Sequence, residues 1–123
     1  MKNFAERYTA AWCSQKPSSV AEFFSVDGSL QVNDSAPAIG RAAITAVAEG
    51  FMTAFPNLQV FMDDLTFEPG STTYRWTLTG TYAATGKSVR ISGYEVWTMS
   101  ADGLIAVSKG HFDQADYQRQ IQP

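Results

Sequence analysis

A single carboxylate interrupts a row of residues that otherwise belongs in a hydrophobic core. Residues 88–99 alternate in character, and the neighbours that share a face with Glu95 are apolar or glycine: Val89, Ile91, Gly93, Trp97 and Met99. Carboxylates are almost never buried unless they are paired or used in chemistry. Glu95 is therefore the first candidate for acid/base chemistry, and an ion pair inside the fold is the structural alternative.

The pairing of the neighbouring strands decides which side chains meet Glu95. Alternating runs joined by short glycine-containing turns predict an antiparallel meander over residues 72–113. If Met99 pairs with Ile105, three polar residues join the face of Glu95: Lys109, opposite it, His111 and Asp113. His111, the one histidine, is a general acid/base candidate because its ordinary pKa is about 6.5. For Asp113, the alternative is a cap on the C-terminal segment.

Arg75 and Asp34 complete the polar set that the pattern predicts inside the fold. If the turn at 84–87 places Thr81 beside Val89, Arg75 lies opposite Glu95 and pairs with it. Asp34 continues the alternation of the strand before it and is expected to point inward, with an Asx-turn as the alternative. A slip of one residue would reverse each of these positions.

Helical segments come before the meander and supply its cover. An apolar stripe at helical spacing opens the chain: Phe4, Tyr8, Ala11 and Trp12. Pro17 ends it, and two more helical segments flank a short strand at 29–33. Helices followed by long antiparallel strands predict an α+β fold. We expect a cone in which the N-terminal helices pack on a curved, mostly antiparallel sheet and enclose a pocket.

Composition limits the partners and cofactors. The length of 123 residues predicts a single domain over residues 1–123. A net charge of -3 without clusters of Lys and Arg argues against nucleic acid and anionic membranes as partners. One cysteine and one histidine leave no usual ligand set for a metal. The pattern predicts neither a signal peptide nor a membrane span, so we expect a cytoplasmic protein without a cofactor.

Several segments carry a family resemblance. Those that resemble the first half of the nuclear transport factor 2-like superfamily are Arg7–Trp12, Phe23–Gly28, Val32–Asp34 and Ile39–Ile44. The second half, with RWTLTGTY, DGLI and GHFDQADYQRQI, is similar to its SnoaL-like polyketide cyclase branch. The resemblance implies the cone-shaped fold. By likeness to ketosteroid isomerases of this fold, it implies that Tyr8 donates to a substrate oxygen, that Asp34 shuttles the proton, and that Glu95 is a second donor held neutral.

Other branches of the superfamily imply different roles. Arg75 opposite Glu95 would favour an ionised carboxylate, and it resembles limonene epoxide hydrolase, in which an inward arginine sits between carboxylates that activate water. Thr77 stands where that enzyme has a partner aspartate. The resemblance to SnoaL-like cyclases implies His111 and Asp113 as the acid/base residues. The residues expected to contact the substrate are Trp12, Phe55, Arg75 and Trp97.

The leading hypothesis is an acid/base enzyme that acts on a small hydrophobic carbonyl compound through an enolate. Asp34 removes a proton beside the carbonyl, and Tyr8 with Glu95 stabilises the enolate oxygen. The alternatives are a water-activating, epoxide hydrolase-like enzyme and a non-catalytic ligand-binding or association domain. An apolar outer face of the sheet predicts a homodimer through that face, from Trp76, Leu78, Tyr94, Val96 and Phe112.

Overall fold

Four helices and six strands make up the chain in the computed structural model, which describes residues 1–123. The helices are α1 (Lys2–Cys13), α2 (Pro17–Ala21), α3 (Arg41–Ala54) and α4 (Gln114–Ile121). The strands are β1 (Phe24–Val32), β2 (Ala38–Ile39), β3 (Gln59–Glu68), β4 (Ser71–Thr81), β5 (Ser88–Met99) and β6 (Ile105–Phe112). They form one sheet in the order β2-β1-β6-β5-β4-β3, in which only the pair β1–β6 is parallel. The predicted α+β class with a mostly antiparallel sheet is confirmed.

The helices form where the apolar spacing predicts them. Helix α1 buries the predicted stripe, including Tyr8 and Trp12, and α3 buries Ile44 and Ala48 at the same helical spacing. Pro17 occupies the first position of α2, where a missing backbone N–H costs no hydrogen bond. None of the helices combines the length and apolar character that crossing a membrane requires.

A bulge in the β5–β6 hairpin moves the register of β6 by one residue. The predicted pair Met99–Ile105 forms, but Ala106 is left without a partner in β5. An extra residue of this kind turns the side chains that follow to the other face of the sheet. Glu95 therefore pairs with Gly110. Lys109 and His111 are predicted beside Glu95, but they lie on the opposite face of the sheet.

The β4–β5 hairpin also closes one residue away from the predicted pairing. The backbone N–H of Tyr82 donates to the carbonyl oxygen of Lys87 at 2.8 Å, and a glycine with φ of 74° turns the chain between them. This closure shifts β4 by one residue relative to β5. Tyr74, and not Arg75, consequently pairs with Glu95. The predicted ion pair between Arg75 and Glu95 is wrong.

The two shifts exchange the inner and outer rows of β4 and β6 relative to the prediction, while β5 keeps its faces. Three large apolar residues that are predicted on the outer face line the interior instead: Trp76, Leu78 and Phe112. Tyr94 and Val96 do lie on the outer face, paired across strands with His111 and Lys109. The predicted apolar composition of the outer face is therefore wrong. Dimerisation through the outer face stays a prediction, and the surface that it would use includes Tyr94, Val96, Lys109 and His111. The core lies between the helices and the inner face of the sheet.

Candidate functional site

A small apolar cavity lies between the helices and the inner face of the sheet. Its volume is about 60 Å³, and 12 of its 14 lining residues are hydrophobic. Six of them are aromatic: Trp12, Phe51, Tyr74, Trp76, Phe112 and Tyr117. Glu95 is the one carboxyl group among the lining residues. The predicted pocket is therefore present, and its only strongly polar feature is the Glu95 side chain.

Three donors hold the Glu95 side chain, and all three bind the same oxygen. The Tyr8 hydroxyl donates to Oε1 at 2.9 Å, the Trp97 indole N–H at 3.0 Å and the Ser108 hydroxyl at 2.8 Å. The donors come from α1, β5 and β6, so the site forms only when these three elements are assembled. This clamp fixes the position of the carboxyl group.

The other carboxyl oxygen of Glu95, Oε2, has no hydrogen-bond partner in the chain. Only two side-chain polar atoms are both fully enclosed and without a partner, the indole nitrogens of Trp12 and Trp76. Oε2 has no partner either, so it is not fully enclosed. It is therefore in contact with open space, although Glu95 as a whole is only 8% exposed. Because Glu95 lines the cavity, that space is the cavity. One oxygen is anchored and the other faces the cavity.

Burial decides the protonation behaviour of Glu95. Removal from water raises the pKa of this carboxyl above its ordinary value, and the hydrogen bonds from Trp97, Ser108 and Tyr8 lower it by less. The pKa of the Tyr8 hydroxyl is also raised well above its ordinary value, by burial first and by the Glu95 charge second. Tyr8 therefore keeps its proton and acts as a donor, while the neutral form of Glu95 persists to a higher pH than that of an exposed glutamate.

Aromatic packing fixes the donors around Glu95. The Tyr8 ring makes edge contacts with the rings of Tyr74 and Trp97, with centroids 5.5 and 5.2 Å apart. Tyr74 stacks on Trp97 at 4.9 Å with an interplanar angle of 16°, and its hydroxyl is 2.5 Å from the Thr9 hydroxyl. Such pairs stabilise by about 0.5–1.5 kcal/mol each beyond the area that they bury. The donors to Glu95 therefore have little freedom to move.

Two enclosed indole N–H groups beside the cavity have no partner. The N–H of Trp12 lies close enough to the Tyr8 hydroxyl to lower the pKa of that hydroxyl, but the pair does not reach hydrogen-bond geometry. The N–H of Trp76 has no hydrogen-bond partner either. Unpartnered buried donors are rare and call for a water or a ligand.

The structure places the four residues predicted to contact the substrate in different surroundings. Trp12 lines the cavity as expected. Trp97 is fully buried behind Glu95 and contacts the carboxyl rather than the cavity. Phe55 is also fully buried, packed on Tyr82 and Tyr117, so its predicted place in the lining is wrong. The fourth residue, Arg75, is exposed on the outer face.

Asp34, the predicted base, does not reach the cavity. It is exposed in the turn after β1 and makes no side-chain hydrogen bond. The alternation of β1 stops at Asn33, whose φ of 49° is left-handed and whose N–H binds the carbonyl of Gly110. Because this residue redirects the chain, the strand parity cannot be continued to Asp34. Its expected inward position is wrong.

His111 and Asp113 also lie away from Glu95. Both line an open groove on the outer side of the sheet. Asp113 accepts a hydrogen bond from the backbone N–H of Asp116 at 3.0 Å and caps α4, which is the structural alternative that the sequence suggested. The expected cluster of Arg75, His111 and Asp113 around Glu95 is therefore wrong.

Sequence reasoning missed Ser108, Tyr74 and Trp76 as parts of the site. All three lie on the inner face only because of the two register shifts. The polarity of β6 does contain a signal for its register. Ser108 and Gly110 are more easily buried in a core than Lys109 and His111. No group of three or more His, Cys, Asp or Glu side chains is arranged to hold a metal ion.

Comparison with protein families gives one match. A family model described as SnoaL-like domain matches residues 5–108 of the chain. That range includes Tyr8, Glu95 and Ser108. No curated protein matches the chain.

Solved structures match the fold over nearly the whole chain. A protein from Catenulispora acidiphila DSM 44928 with a ketosteroid isomerase-like fold, in complex with trimethylamine, aligns with a TM-score of 0.86 at 14% identity over 95% of this chain and 90% of that chain. An assigned SnoaL-like polyketide cyclase from Jannaschia sp. CCS1 has a TM-score of 0.84 at 16% identity over 99% and 92%. The epoxide hydrolase/cyclase-like enzyme SalBIII, named for pyran ring formation in salinomycin, has a TM-score of 0.81 at 17% identity over 94% and 92%. The predicted cone-shaped fold is confirmed by these likenesses, which at such identities concern the fold alone.

Proposed function

The chain belongs to the SnoaL-like domain family, and we propose that it is an enzyme that binds a small apolar carbonyl compound and moves a proton at the carbon next to the carbonyl group. One observation carries the proposal. Glu95 is the single carboxyl group in an apolar cavity, and its three hydrogen bonds all end on Oε1 while Oε2 faces the cavity. Such a carboxyl group is positioned to exchange a proton with a bound ligand.

Glu95 serves as both base and acid in this reaction. The ionised Oε2 takes a proton from the carbon beside the carbonyl, and the electron pair of the broken C–H bond moves into the enolate. The neutral carboxyl then returns the proton to the same carbon, to a conjugated carbon or to the enolate oxygen. Burial strengthens Glu95 as a base, because the raised pKa makes proton removal from carbon less unfavourable. Tyr8, Trp97 and Ser108 keep Oε1 in place throughout.

This assignment replaces Asp34 with Glu95 as the base. Asp34 is exposed beyond β1, whereas Glu95 is buried at the cavity wall. The water-activating alternative has no support from the arrangement of Arg75 and Asp113, because both lie on the outer side of the sheet. The likeness to an assigned SnoaL-like polyketide cyclase agrees with a carbonyl-bearing ligand.

The size of the cavity suggests the first ligands to test. A cavity of about 60 Å³ has room for roughly four to six water-sized probes, since one probe needs about 10–15 Å³. A five-membered cyclic ketone is larger than this, so it would place only its carbonyl end in the cavity. A larger polyketide-like substrate would likewise place only the carbonyl end of its reacting ring inside, between the aromatic side chains.

The test is hydrogen–deuterium exchange of cyclopentanone in D2O at neutral pD, followed by proton NMR. We expect the wild-type protein to accelerate exchange at the carbons next to the carbonyl. Glu95→Gln keeps the shape and removes the base, so we expect the protein-catalysed rate to fall by about 10²–10⁴-fold.

The matched control is Glu68→Gln, a change of the same type at the exposed end of β3. Its rate should equal that of the wild type. Exchange that Glu95→Gln leaves unchanged, or wild-type exchange no faster than with the heat-unfolded protein, contradicts the proposal.

A second candidate function is the binding of a small methylated amine. Six aromatic side chains and one carboxyl group surround a cavity of a few heavy atoms, which is the composition of sites that hold ammonium cations against ring faces. The ketosteroid isomerase-like protein from Catenulispora acidiphila was solved with trimethylamine. In this case Glu95 would act as the counter-ion and not as a base.

Tetramethylammonium and cyclopentanone separate the two candidates in a tryptophan fluorescence titration. If the amine site is correct, tetramethylammonium binds more tightly as pH rises and Glu95 ionises, and Glu95→Gln abolishes the binding. If the carbonyl proposal is correct, cyclopentanone binds to both the wild type and Glu95→Gln, and tetramethylammonium binds to neither.

A further inference from the structure

The Glu95 cavity is smaller than the ligand proposed for it, so a ligand can enter fully only if part of the wall moves. The cavity has a volume of about 60 Å³, whereas sites for drug-sized molecules have about 300–1,000 Å³. Three helices cover the inner face of the sheet here, through Trp12 of α1, Phe51 of α3 and Tyr117 of α4. Backbone hydrogen bonds hold the strands to one another. One of the helices is therefore the part expected to move.

Helix α4 is the most weakly buried of the three. Helix α1 buries four side chains and α3 buries three, whereas α4 buries none. Two half-buried side chains, Tyr117 and Ile121, pack α4 against the core. The Tyr117 ring makes edge contacts with Phe112 at 5.6 Å and Phe55 at 6.4 Å. Elements with few buried apolar side chains open locally at a lower free energy than the rest of a fold. Of the cavity wall, α4 is thus expected to open first.

The N-terminal end of α4 is fixed to the sheet. One residue, Asp113, separates β6 from α4. The Asn33 side chain accepts a hydrogen bond from the backbone N–H of Phe112 at 2.9 Å and donates one to the Gln114 side chain at 3.0 Å. Asn33 therefore fixes the chain on both sides of Asp113, and α4 can swing only about this end.

The C-terminal end of α4 is fixed by one side chain. The Gln120 amide accepts a hydrogen bond from the backbone N–H of Arg90 at 2.8 Å and donates one to the Arg90 carbonyl oxygen at 2.9 Å. Strand β6 ends at Phe112, which pairs with Gly93. Arg90 therefore lies beyond the reach of β6, and Gln120 takes the place of a strand partner. Breaking two hydrogen bonds releases this end of the helix.

We propose that α4 is the gate of the Glu95 cavity, with Asp113 as its hinge and the Gln120–Arg90 contact as its latch. When the latch breaks, α4 swings about Asp113 and carries Tyr117 away from the cavity wall. A flat apolar ring of the ligand then takes the position of the Tyr117 ring, beside Phe112. This proposal rests on the entry of a ligand into the cavity, and it holds whether or not Glu95 then moves a proton.

Hydrogen–deuterium exchange measured by NMR tests the gate through two sets of signals. The first set is the backbone amides of α4, with those of α3 as the reference. The second set is the indole N–H groups of Trp12 and Trp76, because both residues line the cavity and both N–H groups are enclosed without a partner. Their exchange therefore reports the access of water to the cavity wall. In the wild type, we expect α4 amides to exchange faster than α3 amides, through an opening that leaves the rest of the protein folded.

Gln120→Ala removes both hydrogen bonds of the latch. We expect it to speed the exchange of the α4 amides and of the two indole N–H groups by about tenfold or more, while the α3 amides stay unchanged. The matched control is Gln118→Ala, the same change at an exposed position of α4, which should alter exchange by no more than about twofold.

Arg119→Ala is a second control, because Gln120 also donates to Asp116 within α4 at 3.0 Å. Arg119→Ala removes another contact with Asp116 and leaves the latch intact, so indole exchange should again change by no more than about twofold. Equal effects of Gln120→Ala and Arg119→Ala would overturn the proposal.

Two further outcomes also overturn the gate. In the first, Gln120→Ala speeds the α4 amides and leaves both indole N–H groups unchanged, so that the helix frays without opening the cavity. In the second, wild-type α4 and α3 amides exchange through the same global unfolding. Faster indole exchange in Gln120→Ala, together with no acceleration of cyclopentanone exchange by the wild type, supports the gate and counts against proton transfer by Glu95. The two proposals can therefore fail separately.

Discussion

Replacing Tyr8 by Phe tests whether Glu95 changes its charge inside the folded protein. The substitution removes one hydroxyl, which donates to Oε1 of Glu95 at 2.9 Å. The ring remains and keeps its edge contacts with Tyr74 and Trp97. Any loss of stability therefore reports on the hydrogen bond and not on a cavity.

The size of the loss depends on the charge of Glu95. A hydrogen bond to a neutral group contributes about 0.5–1.5 kcal/mol and one to a charged group about 1.5–3 kcal/mol. Because burial raises the pKa of Glu95, the carboxyl is neutral in acid and becomes ionised only above its raised pKa. We expect Tyr8→Phe to lower the free energy of unfolding by about 1 kcal/mol in acid and by about 2 kcal/mol in mild alkali.

The same sign follows from the proton balance. The folded wild type binds the Glu95 proton more tightly than the unfolded chain, so its stability falls as pH rises from the ordinary value of 4.5 to the raised pKa. Tyr8 is one of the donors that lower this pKa. Its removal raises the pKa of Glu95 further, and the fall in stability with pH becomes larger in the variant.

Urea unfolding followed by tryptophan fluorescence measures both values. It is done at a pH just below 4.5 and at a pH on the alkaline side of neutrality that stays below tyrosine titration. In thermal unfolding of a domain of this size, a loss of about 1 kcal/mol in the free energy of unfolding lowers Tm by about 3–6 °C. The control is Tyr82→Phe, because the Tyr82 hydroxyl makes no hydrogen bond, and its effect should stay within about 0.5 kcal/mol at both pH values.

Equal losses for Tyr8→Phe at the two pH values would refute the reasoning, since Glu95 would then have the same charge in both. A loss no larger than that of Tyr82→Phe would refute it as well, because the hydroxyl would then contribute nothing to the site.

The remaining predictions concern Glu95 and two glycines. In denaturant titrations across pH, Glu95→Gln should lack the fall in stability that the wild type shows between 4.5 and the raised pKa of Glu95; a wild-type minus variant difference that is flat with pH contradicts this. Gly93→Ala should lower stability by about 1–3 kcal/mol in thermal unfolding, because its Cβ would lie 2.3 Å from the His111 carbonyl oxygen and 2.7 Å from Trp76. Gly50→Ala, in α3 with nothing within 4 Å, should instead stabilise by about 0.5–1 kcal/mol, and a loss there would count against the reasoning.

The inward position of Glu95 could be predicted from the sequence because it depends on one strand alone. Side chains alternate within β5 regardless of how its neighbours pair, so the apolar row around Glu95 defined the inner face. The same holds for Tyr8 and Trp12, which share a face of α1 by helical spacing. The local patterns of β5 and α1 therefore predict the inward positions of Glu95, Tyr8 and Trp12 correctly.

The partners of Glu95 could not be predicted in the same way, because they depend on pairing between strands. One unpartnered residue, Ala106, and a hairpin closed one residue early exchanged the faces of β6 and β4. Neither change has a strong signature in residue type. The polarity of the rows was the better guide, since the predicted register placed Lys109 and Arg75 inside and Trp76 outside.

Asp34 shows a different kind of error, in which a pattern was continued past its end. Asn33 adopts a left-handed conformation that asparagine tolerates better than most residues. Asparagine directly after an alternating run therefore indicates a change of direction.

The parallel pairing of β1 with β6 affects how the protein is made. These strands are separated by most of the chain, and β6 also supplies Ser108 to Glu95. During synthesis, β1 leaves the ribosome long before its partner exists, and its edge remains open until β6 has emerged. Contacts between such distant segments also slow folding, because a long loop must close first. The nascent chain therefore cannot complete its sheet until its last strand has emerged, and truncation before β6 would remove both the sheet centre and the site.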